Sequence, residues 1–218
     1  GGDLNQNIPM SNSSREVENL SIGISKMTKS IKDKISDIEK INTSYERFVP
    51  KEFLTLLDKK LITDVDVGDN KSLKMSVLFS DMRNFTSISE QLTPTQNFEF
   101  LNNYLNSLAP AIKSNDGFID KYIGDAVMAL FPDELGADDA VRASIEMMTA
   151  LKGLNADRKS RGLNAISIGV GVNTGDLVLG TIGGDIRMEE TVIGDTVNVA
   201  SRMESLNKQF GTQVLISE

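Results

Sequence analysis

The chain has 218 residues, with 23 Lys plus Arg against 31 Asp plus Glu and a formal charge of −8 at pH 7. That acidic balance argues against bulk nucleic-acid binding, which needs a basic footprint, and no stretch approaches the ~18 apolar residues of a membrane span. Without Cys or His, thiol chemistry and the commonest general base are excluded, leaving carboxylates, Lys, Arg, hydroxyls, backbone dipoles or hard cations.

Residues 1–12 are small and polar and read as a disordered lead-in. Ser13 followed by Glu16 is a capping-box pattern that opens a helix over 13–48. Val17, Ile24, Ile31, Ile38 and Tyr45 recur every seven residues, as do Leu20, Met27, Ile41 and Phe48, with Lys34 the intruder. This narrow seam predicts a coiled coil, and β-branched residues at its first position favour a parallel dimer. An amphipathic helix lying on its own domain is the competing reading.

Pro50 ends the helix, and 49–72 read as a linker holding a short helix, EFLTLLDKKL. The domain proper is expected over 73–218. Leu73–Phe79 is an apolar strand ending in Ser80-Asp81, followed by a polar turn, MRNFTS. Thr93 with Pro94 behind it caps a helix running to about Lys113. The stretch 117–131 predicts a hairpin about Gly124-Asp125, and Asp138–Arg161 a second helix. AISIGVGVNTG and DLVLGTIGG read as two strands joined by a turn at Thr174-Gly175-Asp176. Gly183-Gly184-Asp185 is another turn. Asp195 is expected to cap a third helix over 196–208, with Val199, Met203, Leu206 and Phe210 as its buried stripe, before a last strand, TQVLI. The order predicts an α+β fold of the ferredoxin-like split βαβ kind, preceded by a coiled-coil helix.

Several residues in this frame suit chemistry. Asp81 stands at the carboxyl end of a buried strand, where α/β sheets bind ligands, and Asp125 at the tip of a hairpin expected beside it. Two carboxylates without His or Cys suit Mg2+ or Mn2+, completed by water and phosphates; cap and turn roles are the alternatives. Asp120 and Lys121 alternate along a strand and are expected to face opposite ways. Asn198 and Arg202, four apart on a helix face, are able to orient a ribose and grip a phosphate. No P-loop pattern exists.

Taken together, FSDMRNFTSIS (79–89), GFIDKYIGDAVMALF (117–131), GVGVNTGDLVLGTIGG (169–184) and TVIGDTVNVASRMES (191–205) closely resemble the catalytic domain of class III nucleotidyl cyclases, of the bacterial type with an N-terminal signalling helix. The resemblance implies a homodimer with two composite sites, in which Asp81 and Asp125 match the aspartates that hold two Mg2+ or Mn2+ ions. Lys121 and Thr191 match the purine-selecting pair, Phe85 and Thr86 fall among the substrate-binding positions, and Asn198 and Arg202 match the residues that orient the ribose and stabilise the transition state. In the family the metal aspartates come from one chain and Lys121, Thr191, Asn198 and Arg202 from its partner.

The implied reaction is adenylate cyclisation, ATP to 3′,5′-cyclic AMP and pyrophosphate. A Lys donor and a Thr acceptor complement the N1 and N6 edge of adenine, whereas guanine would oppose donor to donor. A guanylate cyclase on the same scaffold and a catalytically weak nucleotide-binding signalling module are the alternatives. The family carries a further basic residue downstream, and this sequence stops sixteen residues past Arg202, so a C-terminally truncated domain is expected. The resemblance also implies a cytoplasmic output domain, with an upstream sensor or membrane module in the full-length protein.

Overall fold

The structure is a computed structural model that describes residues 15–45, 48–132, 135–184 and 186–218. The chain divides into two units, Gly1–Val49 and Pro50–Glu218. The first contains α1 (Arg15–Tyr45), a single helix whose seam residues Val17, Leu20, Met27, Ile31, Ile38, Ile41 and Tyr45 are all exposed. Its expected Ser13 cap lies outside the described residues.

In the second unit α2 (Lys51–Leu56) precedes β1 (Asn70–Met82), α3 (Phe85–Ser89), α4 (Pro94–Lys113), β2 (Phe118–Ile123), β3 (Ala126–Phe131), α5 (Gly136–Ser160), β4 (Ile168–Gly184), β5 (Arg187–Ile193), α6 (Asp195–Phe210) and β6 (Val214–Ile216). The sheet runs β2-β3-β1-β4-β5, antiparallel throughout, with β6 parallel to β4. This is the expected α+β architecture, and the Thr93 cap is present: its hydroxyl accepts from the Gln96 N–H, and the Gln96 side chain accepts from the Thr93 N–H.

Three local expectations are corrected. Thr174-Gly175-Asp176 is no turn: β4 runs straight through it, because β1 is long enough to pair from Asn70↔Gly180 to Met82↔Ile168 without a break. The reversal comes later, where Gly183 at φ +131° lets β4 turn towards β5; β5 itself was not foreseen. The polar turn after Asp81 contains α3, entered through Asn84 in the left-handed region.

Strand alternation decides what lies on each face of the sheet. Ile168, Val170 and Val172 of β4 join Leu78, Met82, Val127, Ala129 and Phe131 against Tyr104, Leu108 and Ile112 of α4 and Ala140, Ala143, Met147 and Leu151 of α5, forming the main core. The alternate residues Gly169 and Gly171 face α6, where a Cβ would collide with Glu204 in either case.

That glycine surface overturns the expected stripe of α6. Thr196, Ala200, Glu204 and Asn207 are the buried residues, while Phe210 is 67% exposed and Val199, Met203 and Leu206 are half-buried. Two of the polar side chains are satisfied on the sheet: the Thr196 hydroxyl donates to the Asp176 carbonyl at 2.7 Å, and the Asn207 amide to the Val170 carbonyl at 2.9 Å. Asp195 is not the cap either; it is the first helical residue, preceded by Gly194, and no side chain caps this end.

Candidate active site

Asp81 sits one residue from the end of β1, paired with Gly169, and points to the α6 face by alternation. Asp125 is at the tip between β2 and β3, next to Gly124 at φ +66°, and its Oδ2 accepts the Met82 N–H at 3.2 Å. The hairpin therefore delivers Asp125 to the end of β1, as the sequence suggested. Burial first, and then the hydrogen bond and charge of Asp81, push the Asp125 carboxyl up to about 6. Two acids held together at such a cost are relieved by a cation between them, and an all-oxygen donor set fits a hard divalent ion. Among the described residues no group of three or more His, Cys, Asp or Glu side chains gathers to hold a metal ion.

Beneath this pair lie two buried hydroxyls, Ser80 Oγ and Tyr104 OH, without a hydrogen-bond partner among the described residues. Burial, with the nearby Asp125, Asp81 and Glu204 charges, pushes the Tyr104 phenol up.

Lys121 lies on β2. Its Nζ donates to the Glu190 carbonyl at 3.0 Å and stands 3.7 Å from Glu189 Oε1 and 3.6 Å from Asp120 Oδ2. The ammonium thus binds the residue before Thr191, with 69 positions of sequence separating Lys121 from Glu190. Asp120 and Lys121 were expected to point apart, but a register shift between Ile119 and Lys121 inserts an extra residue and brings the charges together. Burial raises the Asp120 carboxyl, opposed by the Lys121 charge.

Asn198 and Arg202 are both exposed on α6. Among the described residues neither hydrogen-bonds to, nor forms an ion pair with, Asp81 or Asp125. Phe85 opens α3, half-buried against the core; Thr86 beside it is exposed. One protomer therefore gathers the carboxylates in one place and Lys121 beside Thr191 in another, with Asn198 and Arg202 left open to solvent.

Sequence reasoning missed Arg83 and Glu204. Arg83 Nη2 lies 2.8 Å from Glu204 Oε1 and donates to the Glu204 carbonyl at 3.1 Å. The signal was the Gly169-x-Gly171 spacing, which marks a strand approached closely by another backbone.

The family described as adenylate and guanylate cyclase catalytic domain matches residues 67–218. The chain is 41% identical to an adenylate cyclase of Anabaena cylindrica over 100% of its own length and 44% of that protein's. Among solved structures it resembles a bacterial light-regulated adenylyl cyclase (TM-score 0.74, 26% identity, 88% of this chain and 56% of that one). It also resembles the guanylyl cyclase Cya2 (TM-score 0.58, 35% identity, 64% and 72%). The chain spans less than half the length of the curated relative it matches along its whole length. It belongs to the adenylate and guanylate cyclase catalytic domain family.

Proposed function

From that membership we propose that the chain is the catalytic part of an adenylate cyclase, converting ATP to 3′,5′-cyclic AMP and pyrophosphate at two composite sites of a parallel homodimer. Likeness to cyclases of both purines does not choose the base, so the choice rests on Lys121. The observation that carries the reading is the hydrogen bond of its ammonium to the carbonyl of Glu190, the residue before Thr191, with the Asp125 carboxylate held at the end of β1.

Asp81 and Asp125 of one protomer would hold two Mg2+ or Mn2+ ions. Bound there, the metals lower the pKa of the ribose 3′-hydroxyl and neutralise the triphosphate, which explains how a His-free protein runs the reaction. Lys121 donates to adenine N1 and the Thr191 hydroxyl accepts from N6, with the Glu190 carbonyl as Lys121's resting partner. Asn198 of the partner protomer orients the ribose so that its 3′-oxygen lines up with the α-phosphorus. Arg202 neutralises charge developing on the α-phosphoryl oxygens as the pyrophosphate leaves. Phe85 and Thr86, at the entrance to α3, lie close enough in sequence to Asp81 to line the triphosphate.

The exposed seam of α1 supplies the second copy. An apolar stripe of this length on one helix is covered by a parallel partner helix, and dimerisation brings Arg202 of each protomer to the acids of the other. Among the described residues no helix is long and apolar enough to cross a membrane.

The test is a turnover assay with Mn2+, run with ATP and GTP in parallel. Cyclic AMP formed at a kcat/KM well above that for cyclic GMP is expected; preferential use of GTP, or nucleotide binding without cyclisation by the dimer, would overturn the reading.

A further inference from the structure

Arg83 and Glu204 form a charged pair that has no part in the chemistry described above. Arg83 stands one residue beyond the end of β1, and its guanidinium lies over Gly169 on the α6 face. Glu204 follows Arg202 by two residues on α6. Their side chains are 22% and 9% exposed, so the pair is largely shielded from water.

The surroundings are shaped around the pair. Gly169, the cross-strand partner of Asp81, leaves the space that the Arg83 guanidinium and the Glu204 carboxylate occupy, and a Cβ there would strike both. Gly171 admits the α6 backbone itself, since its Cβ would meet the Glu204 nitrogen and the Ala200 carbonyl. One guanidinium nitrogen, Nη2, stands against both the side chain and the main chain of Glu204, so a single charged group ties the acid and the α6 backbone to the end of β1.

We propose that Arg83 and Glu204 are positioning residues that lock α6 to the carboxyl end of β1, so that Asn198 and Arg202 hold a fixed place relative to Asp81 of the same protomer. This rests on the composite-site reading, in which Asp81 serves one active site and Arg202 of that protomer serves the other. The pair is then a strut running from one site of the dimer to its twin. Releasing it leaves the carboxylates and the purine-reading residues in place but lets Arg202 drift where charge develops. A displacement of about 1 Å at such a group costs on the order of 10²-fold in rate.

The experiment compares steady-state kinetics with ATP and Mn2+ for Arg83→Met, Arg83→Lys, Glu204→Gln and the Arg83→Met/Glu204→Gln double variant. Amide hydrogen exchange is measured in parallel on each nucleotide-free protein. Arg83→Met and Glu204→Gln should each lower kcat by roughly 10- to 100-fold while KM for ATP stays within about twofold, as expected when only the transition state loses an interaction. The double variant should be no slower than the worse single one, because both remove one interaction. Arg83→Lys, which keeps the charge on a shorter side chain, should fall between wild type and Arg83→Met. Exchange should quicken across residues 198–203 and stay unchanged in β1 and α4.

Wild-type kcat in a folded Glu204→Gln protein, losses confined to KM, or multiplying losses in the double variant would each overturn the proposal. If only Arg83→Lys folds, its kcat against wild type decides. The exchange measurement needs no turnover: a wild-type protein that makes no cyclic nucleotide would count against the cyclase reading, while unchanged protection of α6 in the variants would count against the strut.

Discussion

Replacing Asp125 with Asn removes a charge that the folded protein both buries and sets beside Asp81. In the native protein without divalent ions, Asp125 is raised from 3.8 to about 6, chiefly by burial and then by Asp81. The folded state therefore holds this proton more tightly than the unfolded chain does. Its contribution to stability is present below pH ~4 and is lost as pH rises towards 6. At 1.36 kcal/mol per pKa unit the full effect is about 3 kcal/mol; the side chain is only half-buried, and screening by solvent reduces this to about 1–2 kcal/mol. Asn keeps an oxygen for the Met82 N–H and removes the charge. In EDTA at pH 7.5 the Asp125→Asn protein should accordingly melt about 3–6 °C above wild type, with the gap closing by pH 4. Calorimetry at several pH values measures this directly. Saturating Mn2+ should reverse the order, because only the intact pair gains the full linkage to bound metal. A difference independent of pH, or a wild type already more stable in EDTA at pH 7.5, would refute the claim that the ionised Asp125 strains the folded state.

Three further outcomes are expected. Lys121→Glu should lower kcat/KM for ATP by about 10²-fold or more and raise it for GTP, since the donor facing adenine N1 becomes an acceptor suited to guanine; parallel assays with both nucleotides measure the switch. Changing Ile24, Ile31 and Ile38 to Asp should convert the protein to a monomer in sedimentation and remove cyclisation with it, whereas an active monomer would defeat the composite-site reading. Gly171→Ala should destabilise the second unit by about 1–3 kcal/mol by overpacking, read as a lowered denaturation midpoint, because the added methyl meets the α6 backbone.

What the sequence disclosed depended on how local its signals were. The Thr93 cap, the Gly124-Asp125 hairpin and the long amphipathic helices are written in adjacent residues, and the structure has them. The paired acids Asp81 and Asp125 were legible because a strand end and a hairpin tip are recognisable places, and neighbouring strands bring them together. The continuous β4 was hidden: Thr-Gly-Asp has turn composition, and only a long partner strand holds it extended. The α6 face was misread because apolar periodicity assumes an apolar seat, whereas this helix rests on glycines and exposed carbonyls. Asp120 meets Lys121 through a bulge that no alternation rule anticipates. Arg83 and Glu204 find each other across 121 residues, a partnership visible only in three dimensions.

One consequence of the Glu204 seat lies in helical arithmetic. Each residue advances an α-helix by about 100°, so a position two steps away lies roughly 200° around the axis. Because Glu204 is turned inward, Arg202 is turned away from its own sheet and stands exposed. The inward acid thus aims the outward cation, and within one copy of the chain the seat of Glu204 decides which way Arg202 faces.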